Sequence, residues 1–212
     1  MSTGDVNNAG AWAKFFSGGL FGINYILLMH RSDGSLLPSI IPGMQIIDHI
    51  PEAVNAWGKF PLLRVTKNLF QTACSNSKVT KCMLLSGDSI PLCPFNEVYE
   101  RAMSSGPERG TLGLSKLMMK DDKMQLPNEN HQSREETVDC TSWPSSWPWQ
   151  WQGHSQWIIL PRKHVQVMVD HFHILQTVFK NSNIPDEHAL GVVYVYKAVT
   201  TTGDELSHAQ DV

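Results

Sequence analysis

Residues 84–92 read LLSGDSIPL, an apolar run that stops at Ser86-Gly87-Asp88-Ser89 and restarts through Ile90-Pro91. A buried strand that delivers polar residues at its carboxyl end marks the crevice where open α/β sheets bind ligands. Working outward, residues 81–86 complete this strand. Before it, Pro61 opens LLRVTKNLFQTA, with Leu62, Val65, Leu69 and Ala73 on one helical face. After it, PFNEVYERAM restarts a helix at Pro94, with Phe95, Val98 and Met103 available for packing. Further upstream, residues 11–18 suggest a short helix, INYILLMH at 23–30 is a continuous apolar run of strand length, and MQIIDHI at 44–50 is a second strand. Downstream, SQWIIL at 155–160 predicts another strand. Pro161 then opens a single amphipathic helix whose stripe is Val165, Met168, Val169, Phe172 and Leu175. The alternation of strand and helix predicts an α/β fold.

The chain has 212 residues, 42% hydrophobic and 17% charged, which suits one globular domain. A formal net charge of -3 supplies no basic field for a nucleic-acid backbone. Cys74, Cys82, Cys93 and Cys140 form no CxxC pair, which argues against a zinc ribbon or a disulfide-dense scaffold; Cys82 lies in an apolar run and reads as a small buried hydrophobe. No Asn-x-Ser/Thr acceptor occurs, and no window approaches the ~18 apolar residues of a membrane span. Three parts follow: a loose N-terminus at 1–11, a domain at 12–196 and a polar tail at 197–212. Within the domain, residues 104–152 dissolve into Gly, Pro, Asn and scattered charge and read as an irregular loop. Trp143, Trp147, Trp149, Trp151 and Trp157 cluster at or after its end, either to stack on sugars or to pin the loop to the core.

Three chemistries compete. Gly87-Asp88-Ser89 with Asp170-x-x-His173 is similar to the serine block and Asp-x-x-His pair of the GDSL esterases, in which His173 would deprotonate Ser89 and Asp170 would orient the ring. That family carries its serine near the start of the domain, and no Gly-x-Asn-Asp block is present here. A metal site has less support, since HExxH is absent and residues 171 and 173 of one helix point about 200° apart. The third chemistry rests on Pro185-Asp186-Glu187-His188. Inverting glycosyl transfer needs a carboxylate to take the acceptor proton as its oxygen attacks the anomeric carbon, and Glu187 fits that role.

Taken in order, Trp12-x-x-Phe15-Phe16, INYILLMH, Ala56-Trp57-Gly58-Lys59-Phe60, LLSGDSIPL with PFNEVYE, SQWIILPRKHV and PDEH resemble the core-2/I-branching β-1,6-N-acetylglucosaminyltransferase family, including its plant and algal relatives. The resemblance implies a GT-A-like nucleotide-sugar-binding sandwich with a central mixed, mostly parallel sheet, truncated at both ends. It implies inverting transfer of N-acetylglucosamine or a related sugar from a UDP donor to a glycan hydroxyl, with no metal. It also implies a Golgi lumenal or membrane setting, reached through an anchor that this chain does not contain. By the same resemblance Glu187 is the general base and Asp186 supports its turn. His30 and Asp33 would lie near the uridine, Trp57 and Gly58 would line the nucleotide side, and Gly87, Asp88, Ser89, Ser155, Gln156 and Trp157 would face the donor sugar. The chain departs from the family pattern at Ser32, with its acid one place later at Asp33, and at Ser89 and His154. Lys197 is the one Lys or Arg after Glu187 available for the leaving diphosphate. A noncatalytic glycan- or nucleotide-sugar-binding relative is the alternative.

Overall fold

The computed structural model describes residues 6–31, 41, 43–53, 56–110, 114–116, 118–120, 123–125, 152–154, 156–181 and 185–189. Helix α1 (Ala9–Phe16) leads to strand β1 (Leu27–Met29), which pairs in parallel with β2 (Met44–Ile46). A 3₁₀ turn (Pro51–Ala53) precedes α2 (Phe60–Ser75), the longest helix described. Strand β3 (Lys81–Met83) and α3 (Phe95–Ser104) follow. Three short strands come next: β4 (Leu114–Lys116), β5 (Met118–Lys120) and β6 (Lys123–Gln125). Then β7 (Gln152–His154) and β8 (Ile159–Pro161) lead into α4 (Arg162–Asp170), α5 (Phe172–Phe179) and a 3₁₀ turn (Pro185–Glu187).

Alternating strand and helix is what the sequence predicts, but the sheet differs from expectation. The described strands form four two-stranded sheets, and only β1–β2 is parallel; β3–β8, β4–β7 and β5–β6 are antiparallel. A central, mostly parallel sheet is therefore not formed among the described residues. The reason lies in β8, which returns against β3 head to tail, and in β1 and β3, which are not hydrogen-bonded to each other.

Local chemistry accounts for three further differences. The apolar run at 23–30 is strand only over Leu27–Met29, because Gly22, at φ +76°, donates its N–H to the Tyr25 carbonyl and the Asn24 side chain accepts from the Leu20 N–H. Both bonds close a turn where an extended chain was expected. The helix after Pro161 breaks at His171 (φ -104°, ψ 16°), whose ring Nδ1 lies 3.0 Å from the Val167 carbonyl oxygen. That side-chain bond competes with the regular helical ladder. Finally, the irregular loop expected at 104–152 contains strands: Lys120 faces Lys123 across a two-residue connection, as in a tight hairpin.

The main core gathers α2, β3, β8, α4 and α5, with Leu63, Phe70, Ile158, Leu160, Val165, Met168, Leu175 and Phe179 all almost fully buried. The amphipathic stripe expected after Pro161 supplies several of these. Each such side chain contributes about 1.5–3 kcal/mol by leaving water. A smaller aromatic core joins α1 to α3: Trp12, Phe16 and Phe95 pack with Phe15, Tyr25 and Tyr99. Gly19 makes that join possible, because a Cβ there would meet the Phe95 ring at 2.4 Å.

Candidate functional site

The Ser86–Ser89 corner is held in place by its own side chains. The Ser86 hydroxyl oxygen accepts the Asp88 N–H (3.1 Å), and the Ser86 carbonyl accepts both the Ser89 N–H (3.3 Å) and the Ser89 hydroxyl (2.8 Å). The corner is also tied to the N-terminal helix. Asn7 donates its amide to the Asp88 carboxylate at 2.5 Å, and the Trp12 indole donates to the Ser89 carbonyl at 2.9 Å. A hydroxyl that spends its proton on a backbone carbonyl three residues away is a turn residue. The proposed esterase partners are engaged elsewhere: Asp170 accepts from Gln166 at 2.8 Å, and His173 is exposed with its ring stacked on His171 at 6.4 Å. These two rings face each other because the helix breaks between them; on one continuous helix they would diverge.

Antiparallel pairing brings two of the predicted motifs together. Met83 lies opposite Ile159, and the Leu84 N–H donates to the Ile158 carbonyl at 3.0 Å. The pairing shown ends at that bond, and Trp157, the residue before Ile158, is half exposed. Ser155 lies outside the described residues, as does Asp33.

A second group of predicted residues gathers around α2. Ala56 to Lys59 form a turn closed by Lys59 N–H to the Ala56 carbonyl (2.9 Å), with Gly58 at φ +66° in its third position. That conformation demands glycine, so Gly58 has a backbone reason to be there. The turn lifts Trp57, 73% exposed, just ahead of the first turn of α2. His30, at the end of β1, is buried; its Nε2 accepts the Ile50 N–H at 3.1 Å, and its ring stacks on His49 at 5.7 Å. Burial, then the neighbouring His49, pushes the His30 pKa below its usual value, which keeps the ring neutral and Nε2 able to accept. Nothing in the sequence points to His49, or to the buried Arg31 whose carbonyl oxygen lies 3.1 Å from His49 Nδ1, because neither belongs to a recognisable motif.

The Pro185–Glu187 turn packs on α2. Asp186 is buried, with Oδ1 unpartnered among the described residues, while Glu187 is half-buried. Burial raises the Asp186 pKa, partly offset by a hydrogen bond to its own backbone. A carboxyl raised in the folded state holds its proton longer than the unfolded chain does, so stability is lost as pH rises through the native pKa. Asp186→Asn is therefore expected to raise the thermal midpoint at pH 7, with the gain shrinking toward pH 4. Equal midpoints at pH 7 would show that Asp186 carries no desolvation penalty.

A cavity of about 630 Å³ takes only Ser89 from the predicted site residues. No group of three His, Cys, Asp or Glu side chains suited to a metal ion occurs among the described residues, and no described helix is long and apolar enough to cross a membrane.

The model of the core-2/I-branching enzyme family matches residues 1–195, which takes in every motif placed above, including PDEH. The chain belongs to the core-2/I-branching enzyme family. It is thus a member of a family of branching glycosyltransferases, with GT-A-like fold ancestry carried here on small, separate sheets. A direct search of curated proteins finds no match.

Proposed function

We propose that the chain transfers N-acetylglucosamine, or a closely related sugar, from a UDP donor to a glycan hydroxyl with inversion and without a metal. Glu187 takes the acceptor proton as the acceptor oxygen bonds to the anomeric carbon, while the bond from that carbon to the UDP oxygen breaks and its electron pair leaves with UDP. Asp186, buried behind Glu187, fixes the turn. Trp57 and Gly58, His30 and the Asp33 segment form the nucleotide side in this reading, and Gly87, Asp88, Ser89, Ser155, Gln156 and Trp157 form the sugar side. The setting in this reading is the Golgi lumen.

The observation that carries the reading is the family match across residues 1–195, which extends through Glu187. Two features of the site support it. Trp157 is half exposed next to Ile158, whose carbonyl is bonded by Leu84, and Glu187 keeps part of its surface accessible while Asp186 is buried. Ser89 has no nucleophilic role in this scheme, consistent with its bond to the Ser86 carbonyl.

The test is UDP release from UDP-N-acetylglucosamine with mixed glycan acceptors, with and without a chelator. Acceptor-dependent release unchanged by chelator is the expected result. Measurable UDP binding with no release would replace this reading by a noncatalytic sugar-nucleotide-binding protein. Loss of release on chelation would overturn the metal-free mechanism.

A further inference from the structure

The cavity of about 630 Å³ lies between the two cores. The main core borders it through Phe70, Ala73 and Cys82, and the aromatic core through Trp12, Phe16 and Phe95. Tyr25, Leu27, Leu28, Val79, Leu84 and Tyr99 also line it and are only half-buried. Their apolar surface keeps contact with water that an apolar ligand would remove. The volume falls within the roughly 300–1,000 Å³ of small-molecule sites, which are walled mostly by hydrophobic and aromatic side chains with a few polar groups. Ile23, Leu85 and Ile90 belong to the wall and are exposed, so the cavity opens to solvent beside apolar side chains. Charge in the wall has one sign. Among the described residues that line it, Lys78 and Lys81 are charged and none is Asp, Glu or Arg. Lys81 Nζ donates to the Ala102 carbonyl and to the Ser105 hydroxyl (2.9 Å), which fixes the ammonium at the end of α3, where Ala102 and Met103 are wall residues too. Those bonds use two of its three donors.

We infer that this cavity binds a single-chain anionic amphiphile, a free long-chain carboxylate whose apolar tail fills the space between the cores and whose head group pairs with Lys81 and Lys78. The apolar wall selects the tail, because a ligand rich in hydroxyl groups would lose its hydrogen bonds to water there without replacement. The two lysines select the head. A cationic head would be repelled by both, and a neutral one would leave the third Lys81 donor without the charge-assisted bond that a carboxylate accepts. Burial lowers the Lys81 pKa, and an anion beside the ammonium offsets that cost. Of the residues assigned to sugar transfer the cavity shares only Ser89, so occupancy is read without turnover and stands independently of the transfer chemistry.

Displacement of cis-parinaric acid from the intact chain, followed by the fluorescence of the probe, tests it. Dodecanoate is expected to displace the probe from one site per chain, and dodecanol to do so about tenfold more weakly. Lys81→Met is expected to weaken dodecanoate by about tenfold while changing dodecanol by less than about twofold, a split that a merely structural loss would not produce. Should Lys81→Met fail to fold, the exposed Lys78→Met carries the same comparison, with a loss of about twofold for dodecanoate alone. Val98→Trp, which adds a ring to the wall from α3, is expected to weaken both ligands by about tenfold or more. Equal displacement by dodecanoate and dodecanol on the unmodified chain overturns the inference without any variant. So does the absence of saturable binding, or binding that none of the variants weakens. Displacement of the probe by UDP would make the cavity part of the donor site and overturn a separate ligand. Retention of the chain on phosphatidylserine vesicles with no displacement by dodecanoate would replace the free acid by a bilayer lipid.

Discussion

Glu187→Gln is expected to lower the rate of sugar transfer by about 10²–10⁴-fold, or about 3–5 kcal/mol in the barrier, while leaving donor binding within a few-fold of wild type. The amide keeps the size and hydrogen-bonding reach of the carboxylate but cannot accept the acceptor proton. The loss therefore belongs in kcat rather than in affinity for the donor. Glu187 sits at the end of the Pro185–Glu187 turn, and the buried members of that turn are Pro185 and Asp186. The check is single-turnover UDP release beside a binding titration with UDP. Transfer unchanged by Glu187→Gln would remove Glu187 as the base, whatever the family assignment.

Phe179→Ala is expected to destabilise the folded chain by about 3–5 kcal/mol, among the largest effects of any single side chain. Phe179 is fully buried at the end of α5, in the cluster that also holds Phe60, Leu63 and Ala189. Removing the ring leaves a cavity where α5 meets the core just before the Pro185–Glu187 turn. For a chain of this size the loss corresponds to a fall of roughly 6–20 °C in the thermal midpoint. The exposed neighbour Lys180→Ala should stay within about 0.5 kcal/mol of wild type. A midpoint for Phe179→Ala equal to that of Lys180→Ala would show that the α5 packing is not formed in solution.

Much of this architecture was legible from local patterns. The 61–73 and 94–103 helices and the apolar stripe from Val165 to Leu175 follow from periodicity and proline placement, which depend on residues three or four apart, while the strands expected at 44–50 and 81–86 form only over Met44–Ile46 and Lys81–Met83. The turn at Ala56–Lys59 was not legible: glycine permits φ > 0 anywhere, and only the structure shows Gly58 using it. Nor were other features. The shortening of the 23–30 strand depends on two competing side-chain and backbone bonds around Gly22 and Asn24, and the break at His171 depends on one imidazole reaching Val167. Neither bond changes the hydrophobic period that a sequence displays.

Sequence alone established the order of the elements, the family and the acidic PDEH turn, because each is encoded by neighbouring residues or by motifs in series. Tertiary structure alone decided that the strand before Ser86 pairs with the segment after Trp157, that His49 stacks on His30, that Asp186 rather than Glu187 is buried, and that β1 and β3 line one apolar cavity without pairing to each other among the described residues. The physical reason is that strand pairing and burial are set by contacts between residues tens of positions apart, and which distant segment satisfies a given edge is a competition among all the edges the chain can offer.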